Sequence, residues 1–307
     1  MSELRQALDT YLAVRRALGF KLDRVEDMLR SFVDYARWQG VSFVTTEQAL
    51  AWASLPANSS PVTWANRLSA VRGFAQHLHS SDTRHEIPPP DLIPCSKIRK
   101  PPYIYSDEDV VTLFRAAQQI VHPLRAVTYS TLFGLLAVTG TRLGEAIALD
   151  RTDIDWDNAV LFVRNTKFQK SREVPLHSTT LDALHGYARQ RDEVFSRPRT
   201  PAFFLSLAGT RLNNQNVHFT FLKLIRRAGM SERRPRRPRI HDLRHSFAVK
   251  TVLAWYRAGL DVEPRLPSLS TYLGHVSPST TYWYLTAVPE LMSLAAARLE
   301  RVLGELP

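Results

Sequence analysis

The sequence predicts a mainly α-helical protein with a small antiparallel β-sheet in its C-terminal domain. Three observations carry that prediction. Apolar residues recur every three or four positions through most of the 307 residues. Between residues 153 and 176 the pattern changes to a two-residue alternation broken by turn residues. Finally, residues 81–102 hold six prolines in 22 positions, which divides the chain into a shorter and a longer part.

In the first part, Leu4, Leu8, Tyr11 and Leu12 form one apolar stripe, and Val25, Met28, Leu29, Phe32, Val33 and Ala36 form a second. Thr45 with Gln48 has the spacing of a capping box for a third, short helix. Ser60 and Pro61 supply an N-cap and a first-turn proline for a fourth, whose apolar face includes Trp64, Leu68, Val71, Ala75 and Leu78. Residues 1–85 are therefore expected to form a helical domain, residues 86–102 an extended proline-rich linker, and residues 103–307 a second domain. Lys97, Arg99 and Lys100 fall in the linker, as phosphate contacts or as ordinary basic linker residues.

The second domain opens on Ser106-x-x-Asp109, another capping signal, and continues into an apolar helix near 124–138 that stops at Gly140. Strands follow in DIDW, AVLFVRN and REVPL. Beyond them, helices are expected near 178–194, 214–228, 241–257, 266–273, 278–285 and 290–303. The last of these is amphipathic, with Leu291, Leu294, Ala295, Leu299 and Val302 on one side.

Composition narrows the function. Forty Lys and Arg against 29 Asp and Glu give a net charge of +11, which favours a polyanionic partner, most simply double-stranded DNA. Most of the excess lies in residues 101–307, and eight arginines crowd the stretch from Arg226 to Arg244, among them Arg236, Arg237 and Arg239. Cys95 is the only cysteine, so a CxxC metal or redox site is excluded. The start lacks a signal-peptide pattern and the longest apolar run, residues 132–138, is too short to span a bilayer, so a soluble protein of a reducing compartment, away from membranes, is expected.

The chemistry concentrates between Arg239 and Tyr284. His241 and Arg244 are three apart and share a helical face. Gly274-His275 closes a short apolar segment, and Tyr284 lies nine residues beyond His275. Upstream stand Thr139-Gly140-Thr141-Arg142-Leu143-Gly144-Glu145 and, in NTKFQKSREVPL, Lys167. This ordered set, H-x-L-R-H, L-G-H, a tyrosine, T-G-x-R-x-x-E and a hairpin lysine, resembles the tyrosine recombinase (phage integrase) family over about 103–290.

The resemblance implies a two-domain DNA clamp of the tyrosine-recombinase type, whose N-terminal helical module binds DNA and whose second domain is catalytic. It implies that Arg142 and Arg244 clamp the scissile phosphate, that His241 and His275 bond its oxygens, and that Tyr284 is the nucleophile. Glu145, His245 and Gly274 would support them. Lys167 would be the general acid, with Lys170 as its rival, because the family's flanking glycines are absent here. Lys97, Arg99, Lys100, Lys170, Arg172, Arg236, Arg237 and Arg239 would contact DNA. Tyr282 and Tyr284 on one helix point about 200° apart, so only one can address a phosphate.

No metal and no cofactor is implied, since cationic side chains take the electrostatic role. The implied activity is site-specific recombination or integration for a mobile element, through a 3′-phosphotyrosyl intermediate. It would run in a tetrameric synapse on DNA, alone or with other recombinase subunits, in a bacterial cytoplasm and associated with the nucleoid. Two other readings stay open at this point: type IB topoisomerase-like relaxation, and a non-catalytic DNA-binding accessory subunit.

Overall fold

The computed structural model describes residues 3–95, 101–164, 171–197, 199–232 and 236–275. The chain divides into two compact units, Met1–Lys100 and Pro101–Pro307.

The first unit is a four-helix module of α1 (Glu3–Ala17), α2 (Asp23–Trp38), α3 (Thr46–Ser54) and α4 (Pro61–His79). The stripes read from the sequence meet in its core, where Leu8, Leu29, Phe32, Trp52, Val71 and Phe74 are all but inaccessible. Each such Leu or Phe contributes roughly 1.5–3 kcal/mol by leaving water. Ser60 caps α4 through Thr63 N, as expected. At α3 only half of the expected capping box forms: Thr45 accepts from Gln48 N, while Gln48 Oε1 is buried without a hydrogen-bond partner. Trp64 is only half-buried and turns its Nε1 to the carbonyl of Pro56 at 3.0 Å.

The proline-rich stretch also differs from a free linker. Arg72 Nε and Nη2 donate to the carbonyls of Pro88 and Pro89, each at 2.7 Å, and Ile93 packs on the helical core. Proline carbonyls with no ladder partner are ready acceptors, and an arginine one helix away holds two of them. The stretch up to Ile93 is thus fastened to the first unit. Lys97, Arg99 and Lys100 lie outside the described residues.

The second unit is built around α6 (Pro123–Thr139), which is buried almost all round. α5 (Asp107–Gln118), α7 (Leu143–Ala148), α8 (Ser178–Val194) and α10 (Ile240–Arg257) pack against it, and α9 (Asn214–Arg227) reaches it through Phe221 on Phe133. The Ser106–Asp109 capping box forms in full. Between α7 and α8 lies a three-stranded antiparallel sheet of β1 (Ile154–Asp155), β2 (Val160–Val163) and β3 (Arg172–Pro175), in that order, with Val163 opposite Arg172. α11 (Leu266–Leu273) closes a smaller core with α10, formed by Val249, Val252, Leu266, Leu269 and Leu273.

No described helix is long and apolar enough to cross a membrane. The described residues hold no His/Cys/Asp/Glu cluster suited to a metal ion.

Gly140 ends α6 in the left-handed region at φ 62°, and a Cβ there would lie 2.6 Å from Phe247 Cδ1 and 3.1 Å from Leu273 Cδ2. Conformation and space therefore both demand glycine. Gly140→Ala should lower stability by about 1–3 kcal/mol, read as a drop in denaturation midpoint; an unchanged midpoint would show that neither the left-handed backbone nor the Phe247 ring resists a side chain there.

Candidate active site

The start of α10 is fixed from several sides. Asp242, fully buried, accepts from Arg239 N at 2.9 Å and Arg239 Nη2 at 3.1 Å, closing the helix's first turn. Burial raises its carboxyl pKa and Arg239 opposes the rise. Tyr105 binds α10 twice, its hydroxyl donating to Arg239 O at 3.1 Å and its amide to Ser246 Oγ, about two turns further on, at 2.8 Å. Held in this way, α10 carries His241 in its first turn and Arg244 one turn on, as the spacing required.

Opposite lies the end of α11. Gly274 adopts the left-handed conformation at φ 65°, with Gly274 N on Thr271 O and His275 N on Ser270 O, both at 2.9 Å. This Schellman-type turn leaves the last carbonyls of the helix in need of donors. Three arginines supply them. Arg172 Nε donates to Tyr272 O at 2.7 Å, Arg244 Nη2 to Leu273 O, and Arg142 Nη2 to Gly274 O at 2.9 Å. Arg244 also donates to Gly140 O at 2.8 Å, so it caps α6 as well. Arg142 and Arg244, 102 positions apart in sequence, thus converge on one helix end.

Glu145 joins the set. It sits at the third position of α7 and accepts from Arg142 N at 3.0 Å and Arg142 Nη1 at 2.6 Å. From the other side it receives Arg172 Nη2 at 2.7 Å and Nη1 at 3.3 Å. Burial would raise its pKa, but the hydrogen bond and charge of Arg172, followed by Arg142, hold it at about 2.

The imidazoles line this cationic floor. His241 and His245 meet edge to face with centroids 4.6 Å apart, and His275 follows Gly274, half-buried. His241, exposed on one side, is lowered to about 4 by partial desolvation and then by Arg244 and Arg142. His245 falls to about 3, through burial first and then His241 and Arg239. His275 falls to about 4, through burial and then Arg244 and Arg142. All three are neutral near pH 7, when an imidazole can donate from one nitrogen and accept at the other. Arginines to hold an anion beside neutral histidines to pass or share protons suit phosphoryl transfer.

The other expected site residues sort by exposure. Arg237 is exposed, and Arg239 is half-exposed while bonded to Asp242. Arg236 is mostly covered, with Nη2 3.8 Å from Asp242 Oδ1. Arg172, expected to contact DNA, has a side chain only 10% exposed, and its guanidinium bonds Glu145 and the carbonyl of Tyr272. Asp242, Tyr105 and Ser246 support the site without having been singled out from the sequence; the capping spacing from Arg239 to Asp242 was the one signal for them. Lys167, Lys170, Tyr282, Tyr284 and the amphipathic tail lie outside the described residues.

The depressed imidazoles set a direction for acid stability. In the unfolded chain they protonate near the ordinary 6.5, so between pH 6.5 and about 4 the unfolded state binds more protons. Stability should fall as pH falls through that window, and Glu145 adds a further loss below its ordinary 4.5. The melting temperature should decrease steadily from pH 7 to 4, and His245→Gln should flatten the profile; an equally steep profile in the variant would contradict a neutral His245.

Comparison with known proteins places the chain in a family. Residues 105–290 match the phage integrase family. The protein y4rB of Sinorhizobium fredii, named as an integrase/recombinase, is 45% identical over 98% of both chains. The tyrosine recombinase XerD of Brucella abortus is 32% identical over 75% of this chain and 74% of its own. Among solved structures, the Tn1549 transposon integrase in complex with transposon right end DNA shares the fold at a TM-score of 0.69 and 17% identity, covering 99% of this chain and all of that one. XerH bound to its difH substrate after cleavage has a TM-score of 0.64 at 20% identity, over 89% of this chain and 78% of that one. With a family match over residues 105–290 and a 45% identical integrase/recombinase relative alike along nearly its full length, the chain belongs to the phage integrase family, the tyrosine recombinases.

Proposed function

We propose that this protein cuts and rejoins double-stranded DNA at a specific site through Tyr284, exchanging strands for a mobile genetic element. The observation that carries the reading is the convergence of Arg142 and Arg244 on the end of α11, beside His241 and His275. A phosphodiester seated there would meet guanidinium charge in paired, planar form, the arrangement suited to the crowded pentacoordinate state.

The Tyr284 hydroxyl attacks the scissile phosphorus, forming the tyrosyl ester as the P–O5′ bond breaks. Its proton passes to His241, neutral at working pH and therefore able to accept it. Lys167 supplies a proton to the departing 5′ oxygen, with Lys170 the alternative donor. The 3′-phosphotyrosyl bond keeps the energy of the phosphodiester, and the 5′ hydroxyl of a partner strand reverses the step. Every bond broken is remade, so no nucleotide and no metal enters the balance. Arg236, Arg237 and Arg239, with Lys97, Arg99 and Lys100, serve as phosphate contacts around the cut. The transposon integrase of the same fold supports a mobile-element role, and strand exchange calls for a tetrameric synapse of this chain, alone or with other recombinase subunits.

The test uses nicked suicide duplexes made from DNA flanking the protein's own gene, from which the cut end diffuses away. Wild type and Tyr282→Phe should form a denaturation-resistant protein–DNA adduct, and Tyr284→Phe none. An adduct lost in Tyr282→Phe but kept in Tyr284→Phe would move the nucleophile. Relaxation of supercoils without exchange between duplexes would favour a topoisomerase, and binding without any adduct an accessory role.

A further inference from the structure

Arg172 fits no role assigned above. It opens β3, paired with Val163, at the mouth of the hairpin. Three features suit it to holding its neighbours in place. Its side chain is 10% exposed, against 35% for Arg142, so of the two arginines sharing Glu145 one faces outward and the other is hidden. Its donors are committed on two sides, to both oxygens of Glu145 and to the carbonyl of Tyr272. Gly274 is cut to accommodate it: a Cβ at that position would lie 2.9 Å from Arg172 Nη1.

These contacts close a ring. Arg172 holds Glu145, Glu145 holds Arg142 by amide and guanidinium, Arg142 holds Gly274 O, and Arg172 returns to the same turn at Tyr272 O. The ring joins β3, the start of α7 and the turn that delivers His275. With Arg172 removed, the Glu145 carboxylate loses its inner partner and is free to swing with Arg142, and the α11 turn loses one of its three caps.

We propose that Arg172 is a positioning residue for the recombinase reaction, a bracket that aims Arg142 and the His275 turn at the phosphate without touching DNA. The proposal rests on the phosphoryl-transfer reading of the site. It assigns Arg172 an effect on the chemical step and none on DNA affinity, and it makes that effect depend on Arg142. Geometry is essential, because only a guanidinium can bond both Glu145 oxygens and the Tyr272 carbonyl together; a lysine restores charge alone.

The experiment measures single-turnover adduct formation on the same suicide duplexes, DNA affinity by anisotropy, and thermal unfolding, for full-length Arg172→Met and Arg172→Lys with and without Arg142→Lys. Both single variants should slow adduct formation by about 10- to 100-fold, since a misplacement of about 1 Å at the reacting groups can cost roughly 100-fold, with affinity changed less than about threefold. In the Arg142→Lys background, Arg172→Met should slow the reaction by less than about threefold, since the side chain it aims is already altered. If Arg172→Met does not fold, Arg172→Lys carries the test.

A wild-type rate in Arg172→Lys would overturn the bracket, as would equal slowing with and without Arg142→Lys. A loss of affinity matching the loss of rate would make Arg172 a DNA contact after all. A lower melting temperature with an unchanged rate would leave it a stabilising residue only. Absence of an adduct in wild type would instead strike the functional reading itself, and this inference would fall with it.

Discussion

The second unit depends on how one helix ends. α11 leaves three consecutive carbonyls, those of Tyr272, Leu273 and Gly274, and each is taken by an arginine from a different element: β3, α10 and the start of α7. A helix C-terminus carries partial negative charge and unsatisfied acceptors together, so it attracts cations and orients them. The usual partner is one side chain or water. Here three guanidinium groups are drawn within reach of a single turn, and that turn leads directly into His275.

Gathering three like charges has a Coulomb cost, and the surroundings offset it in stages. Glu145 lies between Arg142 and Arg172 and stays ionised far into acid. Arg244, 2% exposed, spans the carbonyl ends of α6 and α11 and so gains two helix termini in place of water. The histidines contribute by remaining neutral, since burial first and the neighbouring arginines second disfavour their protonation. The floor retains net positive charge with fixed donors, and an anion whose charge grows during reaction benefits most from such an arrangement. Gly274 permits it, because the Arg172 guanidinium approaches its backbone more closely than a Cβ would allow, and Gly140 leaves room for the Phe247 ring and Leu273.

Much of this architecture was legible in the sequence. The stripes on α1, α2 and α4, the Ser60 and Ser106 caps and the three short strands appear where periodicity and capping placed them, because each is a relation between residues a few positions apart. His241 and Arg244 were readable as a pair for the same reason. Other features a linear reading could not supply. Gln48 has the spacing of a capping box yet does not reach back. Pro88 and Pro89 look like free linker until Arg72 takes their carbonyls. Arg172, in a basic stretch beside Lys167 and Lys170, reads as a DNA contact, and its bonds to Glu145 and Tyr272 O appear only in the fold.

By itself the sequence determined the helices and strands, the residue types that phosphoryl transfer needs, and the family to which their order belongs. Helix periodicity, caps and motif spacing are local, and a linear reading captures local relations. Only the tertiary structure decided which arginine faces outward and which is hidden, and where the clamp is anchored. The acceptors that decide it are main-chain carbonyls, which every residue possesses, so no side-chain pattern marks Tyr272, Leu273 and Gly274 as the carbonyls left open at a helix end and brought against β3, α7 and α10 by the packing of the core.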